Sequence, residues 1–370
     1  MLKTVIFPTL LSILFIGIHY LFYSRVLTHL HIKDNIKQLF RYLTVLNFIG
    51  VLGYIVARYY ITISNTLYYI FSLTIGIGFV ILISVILYEI LHLLQRNIPI
   101  DKSKRAFFKK SSDIGFIALG VGYGVAGIIG GSKKPILINI DVKQNHFKKP
   151  YKIAQISDMH IGGLIDREFV KDSVDIINAQ KPDMVVITGD LVDANIDELK
   201  DSVDELKNLK SKFGTFFVVG NHEYFHQIEN TLLYLKSIGI KVLENSAIKV
   251  EDFYIVGVYD VFGYRYGSYI PNIKKATKDI PKNMPTLLLA HQPKYIKFLE
   301  NFKPSLILSG HTHGGQIWPF GHLVKLDQGY LRGLHKIDRN RHIYINSGIG
   351  FWGPPMRLAS TAEITIINWS

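Results

Sequence analysis

The chain has 370 residues, 48% of them hydrophobic and none of them cysteine, which excludes disulfides, thiolate metal sites and a cysteine nucleophile. Its net charge of +13 is uneven: residues 1–135 carry 14 Lys and Arg against 4 Asp and Glu, a net +10, and the rest carries 28 against 25, a net +3. Positive charge interleaved with apolar segments points to membrane topology, and the near-neutral remainder disfavours a nuclease or another nucleic-acid partner.

In chain order, four stretches are long and apolar enough to cross a bilayer, which takes roughly 20 residues. They run from about Val5 to Phe22, Tyr42 to Ala57, Leu67 to Leu87 with a possible continuation to Leu94, and Ile114 to Gly130. Glu89 and His92 fall near the end of the third and read as interfacial. Hardly any charge lies inside the spans, which argues against a transport path. Positive charge collects in the first connection (Arg25, Lys33, Lys37, Arg41) and in the third (Arg96, Lys102, Lys104, Arg105, Lys109, Lys110), while the connection near Arg58 is almost uncharged. Cytoplasmic loops carry the excess of Lys and Arg, so both basic loops are expected inside. Four spans then place the C-terminal domain outside a bacterial cytoplasmic membrane. The run Ser103-Lys104-Arg105-Ala106-Phe107-Phe108-Lys109 resembles a twin-arginine export signal, with Lys104 in place of the first arginine. Lys133 and Lys134, after the fourth span, pull the other way. The expected organisation is a transmembrane region over 1–131, a polar linker over 132–150 and a catalytic domain over 151–370.

From Tyr151 short apolar runs alternate with amphipathic segments, the signature of an α/β domain. Five runs read as buried strands: Ile153–Ile156, Met184–Ile187, Phe216–Val219, Leu287–Ala290 and Leu306–Leu308. Continuous apolar character suits strands covered on both faces. Helices are expected over Glu168–Ala179, Asp197–Leu209 and Ile228–Ile238, the last closing at Gly239.

Polar residues follow each strand. They are Ser157-Asp158-Met159-His160, Thr188-Gly189-Asp190, Gly220-Asn221-His222-Glu223, His291-Gln292-Pro293, and Ser309-Gly310-His311-Thr312-His313-Gly314-Gly315. A single Gly-Asp is an ordinary turn, and a single histidine is usually structural. Five such motifs in register at strand ends, where α/β sheets assemble their sites, point to a metal-ligating centre built from carboxylate, amide and imidazole groups.

The series Asp-x-His, Gly-Asp, Gly-Asn-His-Glu, His, Gly-His-Thr-His resembles the calcineurin-like metallophosphoesterase superfamily over residues 150–370. The run Gly310–Ile317 and the tail with Gly348, Gly350, Pro355 and Arg357 are similar to a bacterial branch, often membrane-anchored or exported, that includes UDP-2,3-diacylglucosamine hydrolases. Ala362 stands where that branch has proline. The resemblance implies an α/β domain of two packed β-sheets flanked by helices, and two divalent cations drawn from Mn, Fe, Zn or Co. Asp158, His160 and His313 would hold the first cation. Asn221, His291 and His311 would hold the second, with Asp190 between them. A bridging hydroxide would attack phosphorus in line. His222 would serve as general acid, and Glu223 would orient an imidazole. Substrate roles for Asp166, Asp193 and His226 carry less weight, and His322, His335 and His342 read as ordinary loop or strand residues.

The expected reaction is hydrolysis of a phosphoester or pyrophosphate bond, with a lipid-linked substrate favoured by the membrane anchor. An aromatic cluster of Trp318, Pro319, Phe320, Tyr330, Phe351 and Trp352 could form an apolar lip for acyl chains, or could simply pack in the core. UDP-2,3-diacylglucosamine is an alternative substrate whose cytoplasmic location conflicts with an outward domain. A non-enzymatic receptor or scaffold on the same fold is an alternative of another class, disfavoured because all seven ligand positions are filled.

Overall fold

The computed structural model describes residues 5–61, 63–96, 102–144, 147 and 149–370. It divides into two compact units, Met1–Ser132 with Gly353–Met356, and Lys133–Trp352 with Arg357–Ser370.

The first unit is helical. Helix α1 (Phe7–Leu21) continues through a π-helical turn to Leu27, and α2 (Asp34–Tyr59), α3 (Asn65–Arg96) and α4 (Lys102–Gly131) follow. Four segments have the length and apolarity to cross a membrane: Phe7–Leu27, Asp34–Tyr59, Asn65–Leu94 and Phe107–Gly131. The shortest, 21 residues, is about 31 Å long at 1.5 Å per residue, enough for a hydrocarbon core of about 30 Å. The second span begins eight residues before the apolar run itself, because Asp34 and its polar neighbours continue the same helix. Large apolar side chains such as Leu10, Ile13, Leu46, Leu93 and Leu119 are exposed around the helices, as suits a surface solvated by acyl chains.

Inside this unit Phe15, Ile18, Val51, Tyr54 and Ile55 form one cluster, and Val26, Leu27, Leu30, Val85 and Tyr88 another. Polar groups add fixed contacts. His19 Nε2 lies 2.9 Å from Asn47 Oδ1, and Asn47 Nδ2 donates to Thr74 O at 3.1 Å, tying α1, α2 and α3. Such bonds help specify packing where lipid provides no hydrophobic drive between helices. Glu89, at the end of the third span, lies 4.0 Å from Arg25 Nε. The export-like run begins α4. The side chains of Arg96, Lys102, Ser103, Arg105 and Ala106 lie outside the described residues.

The second unit carries two six-stranded sheets. The first contains β1 (Ile136–Val142), β2 (Tyr151–Ile156), β3 (Met184–Ile187), β4 (Thr215–Phe217), β5 (Lys241–Val242) and β12 (Glu363–Trp369), in the order β1-β12-β2-β3-β4-β5. The second contains β6 (Ser246–Val250), β7 (Phe253–Gly257), β8 (Thr286–Leu289), β9 (Leu306–Ser309), β10 (Gly333–Lys336) and β11 (His342–Ile345), in the order β10-β11-β9-β8-β7-β6. Strands β2 to β5 run parallel, as do β7, β8, β9 and β11.

The connector expected over 132–150 is not a plain link. Ile136–Val142 pairs in parallel with β12 over seven residues, in register from Ile136 with Glu363 to Val142 with Trp369. The apolar run in the connector is therefore an edge strand of the first sheet. Asn145, His146 and Lys148, also within that connector, lie outside the described residues.

Strand alternation explains the core. Ile153, Met184, Val186 and Phe216 of the first sheet pack with Phe253, Leu287, Leu289, Leu306 and Leu308 of the second. The alternate residues Ala154, Ile156, Val185 and Ile187 face helices α5 (Arg167–Ala179), α6 (Ile196–Val203) and α7 (Ile228–Ser237) through Val170, Val174, Ile177, Val203, Leu232 and Leu235. The outer face of the second sheet is covered in the same way, with Leu288, Ile307 and Ile343 against Ile273, Ala276 and Tyr295. Both faces of the central strands are thus buried, which is why they read as unbroken apolar runs. The expected helix over Asp197–Leu209 becomes α6 followed by a 3₁₀ turn, Asp204–Asn208.

Candidate metal centre

All five motifs lie at the C-terminal ends of parallel strands, three in the first sheet (β2, β3, β4) and two in the second (β8, β9). The loops are stitched to one another. Asp158 N donates to Gly189 O, His160 N to Asp190 O, and Gly310 N to His291 O. Buried Gln155 bridges the two sheets behind them, its Nε2 reaching Thr188 Oγ1 and Ser309 O at 3.0 Å each. Five of the seven expected ligands adopt left-handed backbone: Asp158, His160, Asp190, His311 and His313, with φ between 48° and 70°. Non-glycine residues rarely occupy this region, and strain of this kind concentrates at functional sites.

The side chains converge in two groups. In the first, His160 Nε2 is 3.1 Å from His313 Nε2, and His313 Nε2 is 3.5 Å from Asp158 Oδ1. In the second, His291 Nε2 lies 3.2 Å from each of Asp190 Oδ2, Asn221 Oδ1 and His311 Nδ1. Asp190 Oδ2 is also 3.9 Å from His160 Nε2, between the groups. Ligand atoms about 2.0–2.2 Å from a shared cation lie about 3–3.5 Å from one another. The spacings here match that, and nitrogen and oxygen donors without sulfur suit Mn, Fe, Zn or Co. The donor set therefore fits divalent cations.

The outer ring nitrogens are held as metal-binding histidines require. His291 Nδ1 faces Thr188 O at 2.7 Å. A carbonyl can only accept, so Nδ1 carries a proton and Nε2 is the ring atom turned toward Asp190, Asn221 and His311. His160 Nδ1 lies 2.9 Å from Asp193 Oδ1. The same oxygen is 2.5 Å from His222 Nδ1, so Asp193 ties the candidate ligand His160 to His222. His222 N, in turn, donates to Asp190 Oδ1 at 2.8 Å.

Burial and neighbouring charge set the protonation pattern. Burial acts to raise Asp190, but the His291, His222 and His160 charges outweigh it and hold the carboxyl well below its usual range. Asp193 is also held well below that range, because His160 and His222 outweigh its burial. His311 is pushed down to about 3 by burial and by the His291 charge. His313 is driven well below its usual value by burial, His160 and Arg357. Both imidazoles are therefore neutral, the form in which a ring nitrogen can ligate.

Glu223 does not orient an imidazole. Its fully buried carboxylate accepts from the backbone amides of Gly220, Asp190, Leu191 and Val192, at 2.7, 3.1, 2.7 and 3.3 Å, fastening the Gly-Asp loop to the Gly-Asn-His-Glu loop. The geometry favours this because β3 and β4 are neighbours, so the amides of one loop turn toward the carboxylate of the other. Burial and the Asp190 charge push Glu223 up to about 7, against the Gly220 and Val192 amides and the His291 charge.

Of the weaker candidates, Asp166 caps α5 by accepting from Phe169 N, and His226 joins none of the metal-competent groups among the described residues. Asp193 is the one that enters the site. Arg357 is a positioning group that sequence reading attached only to a tail motif. Fully buried, it donates to the carbonyls of His313, Ser347, Gly348 and Gly350 and holds the backbone of one candidate ligand. A buried arginine with no acidic neighbour in sequence was the available signal. Trp318, Phe320 and Trp352 are exposed, whereas Phe351 and Tyr330 pack against core clusters.

Residues 151–315 match the family model for calcineurin-like phosphoesterases. An uncharacterised metallophosphoesterase of Helicobacter pylori is 42% identical over 267 residues, 72% of this chain and 72% of that protein. One of Campylobacter jejuni is 32% identical over 348 residues, 94% of this chain and 93% of its own length. A Danio rerio protein named as a transmembrane protein with a metallophosphoesterase domain is 32% identical over 258 residues, 66% of this chain and 59% of its own. With those relatives, this fold and four helices of membrane-spanning length, the chain belongs to the calcineurin-like metallophosphoesterases and is a membrane protein with a metal-dependent phosphoester hydrolase domain.

Proposed function

We propose that the chain hydrolyses a phosphoester or pyrophosphate bond of a lipid-linked substrate at a two-cation centre. Asp158, His160 and His313 would hold one cation, Asn221, His291 and His311 the other, and Asp190 would reach both. The observation that carries this reading is the position of Asp190 Oδ2, 3.2 Å from His291 Nε2 in one group and 3.9 Å from His160 Nε2 in the other. When bound, such a pair of cations neutralises phosphoryl charge and lowers the pKa of a water.

The chain's own residues supply the rest. Asp193 holds His222 through Nδ1, and the ring would give a proton to the leaving oxygen through Nε2. A protonated His222 would be stabilised by the Asp193 carboxylate. Glu223 and Arg357 keep the loops in the strained conformation that aims the ligands. Exposed Trp318, Phe320 and Trp352, on the chain segments leaving the centre, offer apolar surface for acyl groups. Together with the membrane helices they support a lipid-linked substrate over a soluble nucleotide. The division of labour is a membrane anchor over 1–131 and a catalytic domain over 151–370 on the outer side.

The test is a hydrolysis screen of the full-length protein loaded with manganese or zinc, against a chromogenic phosphodiester, phospholipids, UDP-2,3-diacylglucosamine and nucleotides. Hydrolysis should be detectable and should vanish in Asp190→Ala, with bound metal reduced. Full activity in that variant would remove Asp190 from the centre. Faster turnover of nucleotides than of any lipid would sink the lipid assignment while leaving the metal centre standing.

A further inference from the structure

A basic cleft lies at one end of the helical unit. Residues 28–33 join the π-helical extension of α1 to the start of α2, and the end of α3 and the first turns of α4 come to the same place. There they enclose a cleft of about 710 Å³, within the range of small-ligand sites. Lys33, Lys37, Lys110, His29, His31 and His92 line it, with Lys109 at its wall, and among the described residues no carboxylate lines it.

The cleft is held in shape by contacts that also account for the nearby acid. Leu30 is buried against Val26, Leu27, Val85 and Tyr88 and plugs the loop into the bundle. Asp113 of α4 is completely buried. Its Oδ2 accepts from His31 N at 2.8 Å, and its Oδ1 accepts from Lys109 Nζ at 2.7 Å. Lys109 Nζ also donates to Tyr88 OH at 2.6 Å, so α3, α4 and the loop are pinned together. This network satisfies Asp113 with Lys109 and His31. Among the described residues no carboxylate lies within ion-pair distance of Lys33, Lys37 or Lys110.

We propose that this cleft binds a phosphate-bearing anionic headgroup. Three lysines around a preformed hollow at the end of membrane helices concentrate positive charge where phosphate groups are abundant. Basic pockets between such helices suit anionic headgroups, whereas zwitterionic ones carry a compensating cation that the lysines repel. Lysine also serves as a flexible point charge toward phosphate. The shared chemistry is the phosphate monoanion or dianion, carried by a phospholipid or free in water.

Native mass spectrometry of the full-length protein, with phosphatidylglycerol in an excess of phosphatidylcholine, tests the proposal. The wild type should retain one phosphatidylglycerol per chain, saturably. K33Q/K37Q/K110Q should bind it about a hundredfold more weakly, at about fivefold per lysine, with its helical circular dichroism unchanged. K33R/K37R/K110R should bind like the wild type and would keep the test decisive if the glutamine variant misfolds. Displacement of the lipid by millimolar inorganic phosphate, or saturable phosphate binding without lipid, would assign the site to a soluble phosphate. Equal retention by the wild type and the glutamine variant, or no saturable binding of either probe, would overturn the site.

Discussion

Asp193 shows how one carboxylate can serve two tasks. A single oxygen faces His160 at 2.9 Å and His222 at 2.5 Å. His222→Ala should slow turnover by about 10²–10⁴ while bound metal holds, as loss of a positioned proton donor does; loss of metal in that variant would make His222 structural. Asp193→Asn should lower turnover and also weaken metal binding about 10–100-fold, because it disturbs the partner of His160, a proposed ligand. The rate loss in both variants should shrink for a substrate releasing p-nitrophenol, whose leaving oxygen needs little help from a proton. A loss equal for good and poor leaving groups would exclude proton donation through His222. These roles were only half legible in sequence. His222 stands in a recognisable strand-end motif, but its partner is 29 residues away in the chain, and nothing local marks Asp193 above other acids.

At the scale of the element, five strands deliver their polar ends to one edge because every central strand is buried on both faces and its hydrogen bonds fix the register. The loops then have almost no slack. A Cβ placed on Gly310 would come 1.8 Å from Ser157 Oγ and 2.3 Å from Asp158 Oδ2, so only glycine lets the β9 loop close on the β2 loop. Gly310→Ala should therefore fold with a lowered melting temperature and lose metal content and hydrolysis together; wild-type metal content would show that the two loops can part without cost. The strands themselves were readable from their apolar runs. The other seven strands were not read from sequence; β1, for one, has a short run in a lysine-bearing connector that acquires meaning only when β12, more than two hundred residues later, lies beside it.

For the whole molecule, two consequences can be measured. Asp158 and Asp190 are buried carboxylates that divalent cations would neutralise, so binding should add to folding free energy. At a thousandfold excess over Kd this is about 4 kcal/mol, or roughly 10 °C in melting temperature for a unit of this size. Chelation should thus lower the melting transition of the phosphoesterase unit by that order, and an unchanged transition would argue against resident cations. The distribution of lysine and arginine predicts the side of the membrane: a reporter fused after Ser370 should work outside the cytoplasm, and activity only in the cytoplasm would reverse the topology. The sequence by itself determined what depends on neighbours in the chain. Unbroken apolar length marks the spans, buried strands need apolar residues on both faces, and the motif order Asp158 to His313 identifies the ligand types. Only the tertiary structure decided which distant groups meet. It set Asp193 between two imidazoles, folded Glu223 onto four backbone amides, closed Arg357 over the carbonyl of His313 and hollowed a basic cleft at the end of the helices. Such contacts depend on the packing of whole elements, and local composition carries no record of it.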